Sequence, residues 1–268
     1  MYTHLTIDKE GPIAKLMLNR PKVRNAISEV TLEELIHAFR ELEKDLELKV
    51  VILGGEGLVF SSGVDLYAHA SEIKDHVPHE WIAHTKRFLD LGIITFNFEK
   101  ILITAVQGAA LGFGFDLAMN SDFTISGAGA IFGLPEMDRL SADMYMMLPY
   151  LTHMKKAKEM LFMCRNISAD EAYRLGLVNK IVPDDKVMEE AEAWAKRLAK
   201  VPAITLKQTK KSINKAYQLS GLEEVFEYNL LSSVPVFQSS DKQEREEKNK
   251  FILEHGVKAW LKKHAEAE

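Results

Sequence analysis

The spacing of apolar residues changes between two periods along the first two-thirds of the chain. Two short β-type runs within residues 5–18 flank a turn at Gly11, which predicts a hairpin. Apolar positions then recur at helical spacing from Ser28, a suitable N-cap, to about Leu48. A continuous apolar run at 50–53 predicts a buried strand. The alternation of strand and helix patterns indicates an α/β fold.

The pattern changes in the last part of the chain. Strands and helices alternate up to a short β-type run at 177–182, and from Asp184 onward every periodic segment is helical. The change predicts a core that carries the active site over residues 1–200. It also predicts a helical region over 201–268, which is suited to oligomerisation.

Two segments share a strand–glycine–helix pattern. An apolar strand at 101–106 runs into the small residues and three glycines of residues 107–118 before a helix begins, and residues 59–66 repeat the theme around Gly63. Glycine lets the backbone approach a ligand closely, and the start of a helix leaves N–H groups without partners. The two junctions, near Val64 and Phe113, could therefore direct N–H groups at one oxygen, as an oxyanion hole does.

Acidic residues accompany these junctions. Asp116 lies at the start of the helix after the first glycine segment, and Glu136 and Asp143 follow in a loop that contains proline. Carboxylates beside an oxyanion hole, without an obvious Ser–His pair, suit proton abstraction next to a carbonyl better than hydrolysis. The simpler alternative is that the acids are solvated loop residues. Asp65 is best interpreted as the N-cap of the next helix.

Composition restricts the remaining function classes. The chain has 268 residues and a formal net charge of −5, so it has no basic footprint for nucleic acid. Its apolar runs are all shorter than the roughly 20 residues that span a bilayer, and the polar start is unlike a signal peptide. A single cysteine, Cys164, cannot form an internal disulfide. We therefore expect a cytoplasmic protein without a membrane partner.

Two other chemistries receive little support from the sequence. His79 and His84 resemble part of a zinc-protease motif, but a spacing of five places them on different faces of a helix. We therefore expect no metal site. Cys164 closes an apolar run of helical type, which favours a buried structural thiol over a nucleophile.

Five motifs together resemble the crotonase (enoyl-CoA hydratase/isomerase) superfamily. They occur in the family's order and cover essentially the whole chain: NRP at 19–21 with Asn25 and Ala26, FSSGVDL at 60–66, GAALGFGFDLA at 108–118, FGLPE at 132–136 and AYRLGLVN at 172–179. The resemblance implies a spiral of ββα units with a helical C-terminal trimerisation region. It also implies an acyl-CoA substrate, no cofactor apart from the CoA of that substrate, and a homotrimer or a dimer of trimers.

The resemblance also assigns residues. The thioester oxygen would accept hydrogen bonds from the backbone N–H groups of Val64 and Phe113. The loop around Lys22 and Arg24 would lie against the adenine and phosphates of CoA. The implied substrate-binding and CoA-binding residues are Lys22, Arg24, Ala26, Ser62, Gly63, Asp65, Leu66, Gly112 and Gly114.

The acidic residues favour one reaction within the superfamily. For a hydratase, the resemblance implies two glutamates at the positions of Asp116 and Glu136. This sequence has an aspartate at the first of these positions. The set Asp116, Glu136 and Asp143 is similar to that of Δ3,5-Δ2,4-dienoyl-CoA isomerases. Asp143 follows Glu136 by seven residues, one fewer than that subfamily implies. By resemblance, Glu136 would take a proton from C2, Asp143 would supply one to C6, and Asp116 would support the geometry or the charge balance.

Three alternatives stay open at this level. An enoyl-CoA hydratase would use Asp116 and Glu136 around a water molecule. A hydrolase that cleaves a carbon–carbon bond would need histidines in the pocket, and none is at an obvious equivalent position. A non-catalytic acyl-CoA binder on the same fold is the alternative from another functional class.

Overall fold

The structure is a computed structural model that describes residues 2–72, 78–135, 145–238 and 242–265. The strands are β1 (Leu5–Glu10), β2 (Ile13–Leu18), β3 (Val50–Gly55), β4 (Ile101–Val106), β5 (Ala109–Leu111), β6 (Phe123–Gly127), β7 (Ile131–Gly133), β8 (Ile167–Ser168) and β9 (Lys180–Val182). The helices are α1 (Glu29–Lys44), α2 (Leu66–Glu72), α3 (Pro78–Asn97), α4 (Phe113–Met119), α5 (Leu148–Leu151), α6 (Met154–Phe162), α7 (Ala169–Arg174), α8 (Val187–Leu198), α9 (Ala203–Leu219), α10 (Leu222–Gln238), α11 (Lys242–His255) and α12 (Val257–Ala265).

The larger sheet forms the centre of the fold. Within the described residues its strand order is β1-β2-β3-β4-β6-β9. The predicted hairpin is confirmed, because β1 and β2 are antiparallel and joined at Gly11, whereas the later described pairs of this sheet are parallel. Every residue of β3 and β4 is buried. Such continuous apolar strands are typical of a parallel sheet that is covered on both faces, so the predicted α/β class is confirmed.

A smaller sheet, β5-β7-β8, lies beside the larger one. The strand β5 belongs to a repeated unit, in which a strand of the large sheet is followed by a short strand and then by a helix. In β4-β5-α4 the short strand is β5, and after β3 the bridge between Ser61 and Ala110 takes its place before α2. The repeat places the short segments that precede α2 and α4 next to each other.

Helix α1 confirms the predicted cap and corrects the predicted length. The Ser28 hydroxyl accepts a hydrogen bond from the Thr31 N–H at 3.3 Å, as an N-cap does. The helix ends at Lys44, four residues earlier than expected. The physical reason is a second local motif, since the Asp45 carboxylate accepts hydrogen bonds from the N–H groups of Glu47 and Leu48 and so stabilises a turn there.

The helical C-terminal region packs against the core through specific contacts. Lys210 of α9 is 7% exposed and donates to the Asp122 carboxylate at 2.7 Å and to the carbonyl of Lys100 at 3.0 Å. Helix α10 packs on α3, and α11 packs on α2. The division at residue 200 stays a prediction. No helix in the described ranges is long and apolar enough to cross a membrane.

Cys164 departs from its predicted environment. Helix α6 ends at Phe162, and Cys164 follows it, only half-buried, with a φ of 49°. This left-handed conformation suits glycine and asparagine far better than cysteine. The prediction of a buried helical thiol is therefore wrong, because the chain turns out of the helix before it reaches this residue.

We expect Cys164→Gly to stabilise the protein by about 0.5–1 kcal/mol, because glycine adopts the left-handed conformation without steric cost. Cys164→Val should destabilise it by at least as much, since a β-branched residue is least compatible with this φ. Melting temperatures of the two variants and the parent protein measure both effects. A lower melting temperature for Cys164→Gly than for the parent would contradict the strain argument.

Candidate active site

Hydrogen bonds hold the two glycine junctions side by side. The N–H of Ser61 donates to the carbonyl of Ala109 at 3.0 Å, and the N–H of Leu111 donates to the carbonyl of Ser61 at 3.1 Å. Just before them, the N–H of Phe60 donates to the carbonyl of Gln107 at 2.9 Å. Segments about fifty residues apart in sequence therefore run in parallel and reach their helices at the same place.

Glycines permit an unusually close approach at this place. Gly63 has a φ of +87°, and a Cβ there would lie 2.7 Å from the carbonyl oxygen of Leu111 and 3.3 Å from the nitrogen of Phe113. A Cβ on Gly114 would lie 2.7 Å from the Cβ of Ser61. Neither position has room for a side chain without movement of the neighbouring segment. The backbone of one junction is thus in direct contact with the backbone of the other.

Two N–H groups at this contact have no backbone acceptor within the described residues. Ile27 bonds with the flanking groups of Val64, through the carbonyl of Gly63 and the N–H of Asp65, so the N–H of Val64 points away from that bridge. Phe113 is the first residue of α4, where helical N–H groups lack intrahelical partners. Backbone donors without acceptors on two adjacent segments are the arrangement that suits a carbonyl oxygen that gains negative charge.

The loop before α1 is fastened to the Gly63 junction by Asn25. This residue is 1% exposed, and its amide donates to the carbonyls of Glu56 and Val59 at 2.9 and 2.7 Å. Its side-chain oxygen accepts from the N–H of Arg20 at 2.9 Å. These bonds fix the loop against the turn between β3 and Ser61.

Several residues expected to contact CoA lie on this loop. Lys22 and Arg24 are exposed, whereas Ala26 is buried. The carbonyl of Arg24 accepts from the N–H of Ser62 at 3.0 Å, so the loop touches the turn that carries Gly63. The structure thus brings a basic, exposed segment next to the two N–H donors.

The carboxylate of Asp65 caps a helix and pairs with an arginine. One carboxylate oxygen accepts from the N–H of Ala68 at 3.2 Å, which confirms the interpretation as a helix cap for α2. The other oxygen accepts from the Arg20 guanidinium at 2.8 Å, and Arg20 also donates to the carbonyl of Ala26 at 2.6 Å. The next residue, Leu66, packs with an apolar cluster between α2 and α11–α12.

Asp116 is the one predicted catalytic acid within the described residues. It lies in the first turn of α4 and is 4% exposed. Burial raises the pKa of the nearby Tyr145 phenol, and the negative charge of Asp116 raises that pKa further. Tyr145 is therefore a neutral donor, and its hydroxyl donates to the carbonyl of Gly92 at 3.3 Å.

Glu136 and Asp143 lie outside the described residues. The chain before them is described up to Pro135, and its course approaches the junctions. The carbonyl of Gly133, at the end of β7, accepts from the N–H of Gly112 at 2.9 Å, directly before Phe113. The described chain is therefore hydrogen-bonded to the candidate site at Gly133, three residues before Glu136.

Sequence reasoning left the roles of three residues unassigned. Asn25 and Arg20 were parts of a motif, and the available signal was the asparagine itself, since asparagine is among the few residues that readily adopt a left-handed φ, here 54°. Tyr145 carried no recognisable signal, because its proximity to the charge of Asp116 depends on packing. In the described parts of the chain no three His, Cys, Asp or Glu residues are grouped so as to hold a metal.

The candidate site therefore consists of two adjacent strand–glycine–helix junctions, each with one backbone N–H group that has no acceptor in the described backbone. The sequence matches the enoyl-CoA hydratase/isomerase family over residues 8–263. The chain belongs to this family.

Individual relatives agree with that assignment. The chain is 35% identical over 223 residues to a short-chain-enoyl-CoA hydratase of Clostridium acetobutylicum, with coverage of 80% of this chain and 82% of the relative. It is 32% identical to a crotonyl-CoA hydratase of Syntrophomonas wolfei, with coverage of 81% and 84%. A crystal structure of an enoyl-CoA hydratase/isomerase from Xanthobacter autotrophicus Py2 superposes with a TM-score of 0.92 at 28% identity, with 97% of each chain covered.

Proposed function

We propose that the protein binds an acyl-CoA thioester and stabilises its enolate with the N–H groups of Val64 and Phe113. The observation that carries this proposal is the close approach of Gly63 to the nitrogen of Phe113, next to N–H groups of Val64 and Phe113 that have no acceptor in the described backbone. A thioester oxygen becomes more negative when a proton leaves the adjacent carbon, so fixed donors lower the barrier to that step. The exposed loop with Lys22 and Arg24 supplies cationic groups suited to CoA phosphates.

For the reaction itself we propose isomerisation of a dienoyl-CoA. The support comes from Asp116, which is one methylene shorter than a glutamate and is buried beside Tyr145. Its Cα lies only about 4.5 Å along the helix axis from the donor residue Phe113. A short carboxylate held near its own helix suits charge balance better than sharing a water molecule with a second acid.

The proposed step moves one proton in and one proton out. Glu136 removes a proton from C2 of a 3,5-dienoyl-CoA, and the electron pair delocalises into the thioester as an extended enolate conjugated with both double bonds. Asp143 then protonates C6, so the double bonds move to the 2,3 and 4,5 positions. The two acids finish with exchanged protonation states and return by exchange with solvent. The step is redox-neutral and needs no cofactor besides the CoA of the substrate.

The named relatives favour a second candidate function. Both curated relatives described above are hydratases, and one has crotonyl-CoA in its name. In that reaction Asp116 and Glu136 would position a water molecule for addition at C3 and supply a proton to C2.

We expect the purified protein to convert a 3,5-dienoyl-CoA into a 2,4-dienoyl-CoA, followed by the rise in ultraviolet absorbance of the conjugated product. Crotonyl-CoA in the same buffer, followed by loss of its absorbance, measures hydration. Turnover of the diene at a kcat/KM at least about tenfold above that for crotonyl-CoA would support the isomerase. Rapid hydration without isomerisation would replace it with the hydratase, and binding without turnover of either substrate would support the non-catalytic alternative.

A homotrimer or a dimer of trimers is also a proposal. Its support is a set of exposed apolar side chains on α9 and α10, namely Ile204, Ile213, Tyr228 and Leu231. Large exposed apolar residues on neighbouring helices are typical of surfaces that become covered on association.

A further inference from the structure

A cavity with a basic lining lies between α9 and the segment that joins α3 to β4. Its volume is about 550 Å³. Four lysines of α9 line it together with two glutamates, namely Lys207, Lys210, Lys211, Lys215, Glu43 and Glu99. The proposed reaction uses none of these residues, so the cavity needs a separate explanation.

The cavity is separate from the thioester site. Glu99 lies two residues before the start of β4, whereas the junction that carries Phe113 follows the other end of that strand. The six residues of β4 span roughly 20 Å. The loop with Lys22 and Arg24 is joined to the site at the far end, through the bond from the N–H of Ser62 to the carbonyl of Arg24. The proposed CoA contacts and this cavity are therefore at opposite ends of β4.

A buried ammonium group forms part of the cavity wall. Lys210 is 7% exposed, and its Nζ donates to the Asp122 carboxylate at 2.7 Å and to the carbonyl of Lys100 at 3.0 Å. An ammonium group has three N–H donors, so one donor is left without an oxygen acceptor among the described residues. The two bonds hold this cation at the wall of the cavity in a fixed position.

Three further lysines carry more positive charge than the neighbouring carboxylates offset. The Nζ atoms of Lys207 and Lys211 lie 2.5 and 2.7 Å from the two carboxylate oxygens of Glu99. The hydrogen bonds from these lysines lower the pKa of the Glu99 carboxyl, so one negative charge faces two ammonium groups. Glu43 accepts from the N–H of Glu99 at 3.0 Å. Lys215 is exposed and forms no ion pair with another described residue.

The spacing of these lysines favours a small ligand of high charge density. Lys207, Lys211 and Lys215 follow one another at intervals of four residues, so they lie along one face of α9. Each of the three ammonium groups keeps at least two donors, and a phosphate group offers several oxygens to accept them. A volume of this size is typical of sites for small molecules. The formal net charge of −5 disfavours a long polyanion.

We propose that this cavity binds a small anion with a phosphate group, of the phosphate monoester or diphosphate class. Lys207, Lys211 and Lys215 would donate hydrogen bonds to the phosphate oxygens, and Lys210 would contribute a fixed positive charge at the wall. The proposal goes beyond the proposed function and does not depend on it, because the two sites share no residue.

Calorimetric titration with sodium pyrophosphate at low ionic strength tests the proposal. We expect the parent protein to bind it with a Kd of about 1 mM or less. Lys211→Gln and Lys215→Gln should each weaken binding about threefold to tenfold, the range for the loss of one hydrogen bond to a charged group. Lys158→Gln is the matched control, because Lys158 is an exposed lysine of α6 that forms no ion pair with another described residue.

The outcomes separate this inference from the reaction. No binding at about 10 mM pyrophosphate, or equal weakening in Lys158→Gln, would overturn the inference. Weakening in Lys22→Gln, with none in the two α9 variants at unchanged melting temperature, would also overturn it, because the anion would then lie at the proposed CoA loop. Binding that follows the α9 variants in a protein without activity on dienoyl-CoA or crotonyl-CoA would support this inference and overturn only the proposed reaction.

Discussion

Gly63→Ala is expected to lower kcat/KM for an unsaturated acyl-CoA by about 10²–10³-fold, the loss seen when one oxyanion donor is removed. The added Cβ would lie 2.7 Å from the carbonyl oxygen of Leu111 and 3.3 Å from the nitrogen of Phe113. The φ of +87° is itself unfavourable for alanine. Both effects push the two junctions apart, so the N–H groups of Val64 and Phe113 can no longer reach one oxygen. Steady-state kinetics measure the loss.

A second glycine separates steric displacement from backbone strain. Gly176 has a φ of +79°, and a Cβ there would have no neighbour within 4 Å. Gly176→Ala should therefore cost a similar amount of stability from strain and leave kcat/KM unchanged. If Gly63→Ala retained full activity with a stability loss equal to that of Gly176→Ala, the proposed hole would not contain these donors.

Much of the fold could be predicted because it depends on local pattern. The continuous apolar runs of β3 and β4 predicted strands that are buried on both faces. Ser28 predicted the start of α1. Ser168, which opens an SxxE pattern, caps α7 by the same local chemistry, since its hydroxyl accepts from the N–H of Glu171 at 3.2 Å. Each of these features is determined by residues within one or two turns of one another.

The remaining features depend on contacts between distant segments. Hydrophobic periodicity could indicate two glycine junctions but not that Ser61 and Ala109 are hydrogen-bonded. The end of α1 was missed because its apolar spacing continues while the Asp45 carboxylate stabilises a turn instead. The contact between the rings of His69 and His84 was also missed. Histidines fifteen residues apart give no joint signal until α2 and α3 are packed together.

The proposed roles of the acids lead to the second large effect. Glu136→Gln is expected to lower kcat by about 10²–10⁴-fold on whichever substrate the protein turns over, because general acid–base catalysis contributes about that much. Glutamine preserves the size of the side chain and removes its ability to accept a proton, so KM should change little. Stopped-flow or steady-state absorbance with the preferred substrate measures kcat.

A further substitution, with a matched control, shows whether the acids serve isomerisation or hydration. Asp143→Asn should reduce dienoyl-CoA isomerisation to a similar extent, because it removes the proton donor for C6, and should affect hydration far less. Glu189→Gln is the matched control, since Glu189 is an exposed residue that pairs with Lys186 on the surface, where an ion pair contributes at most about 1 kcal/mol. Full activity in Glu136→Gln would contradict carboxylate-mediated proton transfer in either reaction. Loss of hydration but not of isomerisation in Asp143→Asn would reverse the proposed assignment, because the proton for C6 would then have another source.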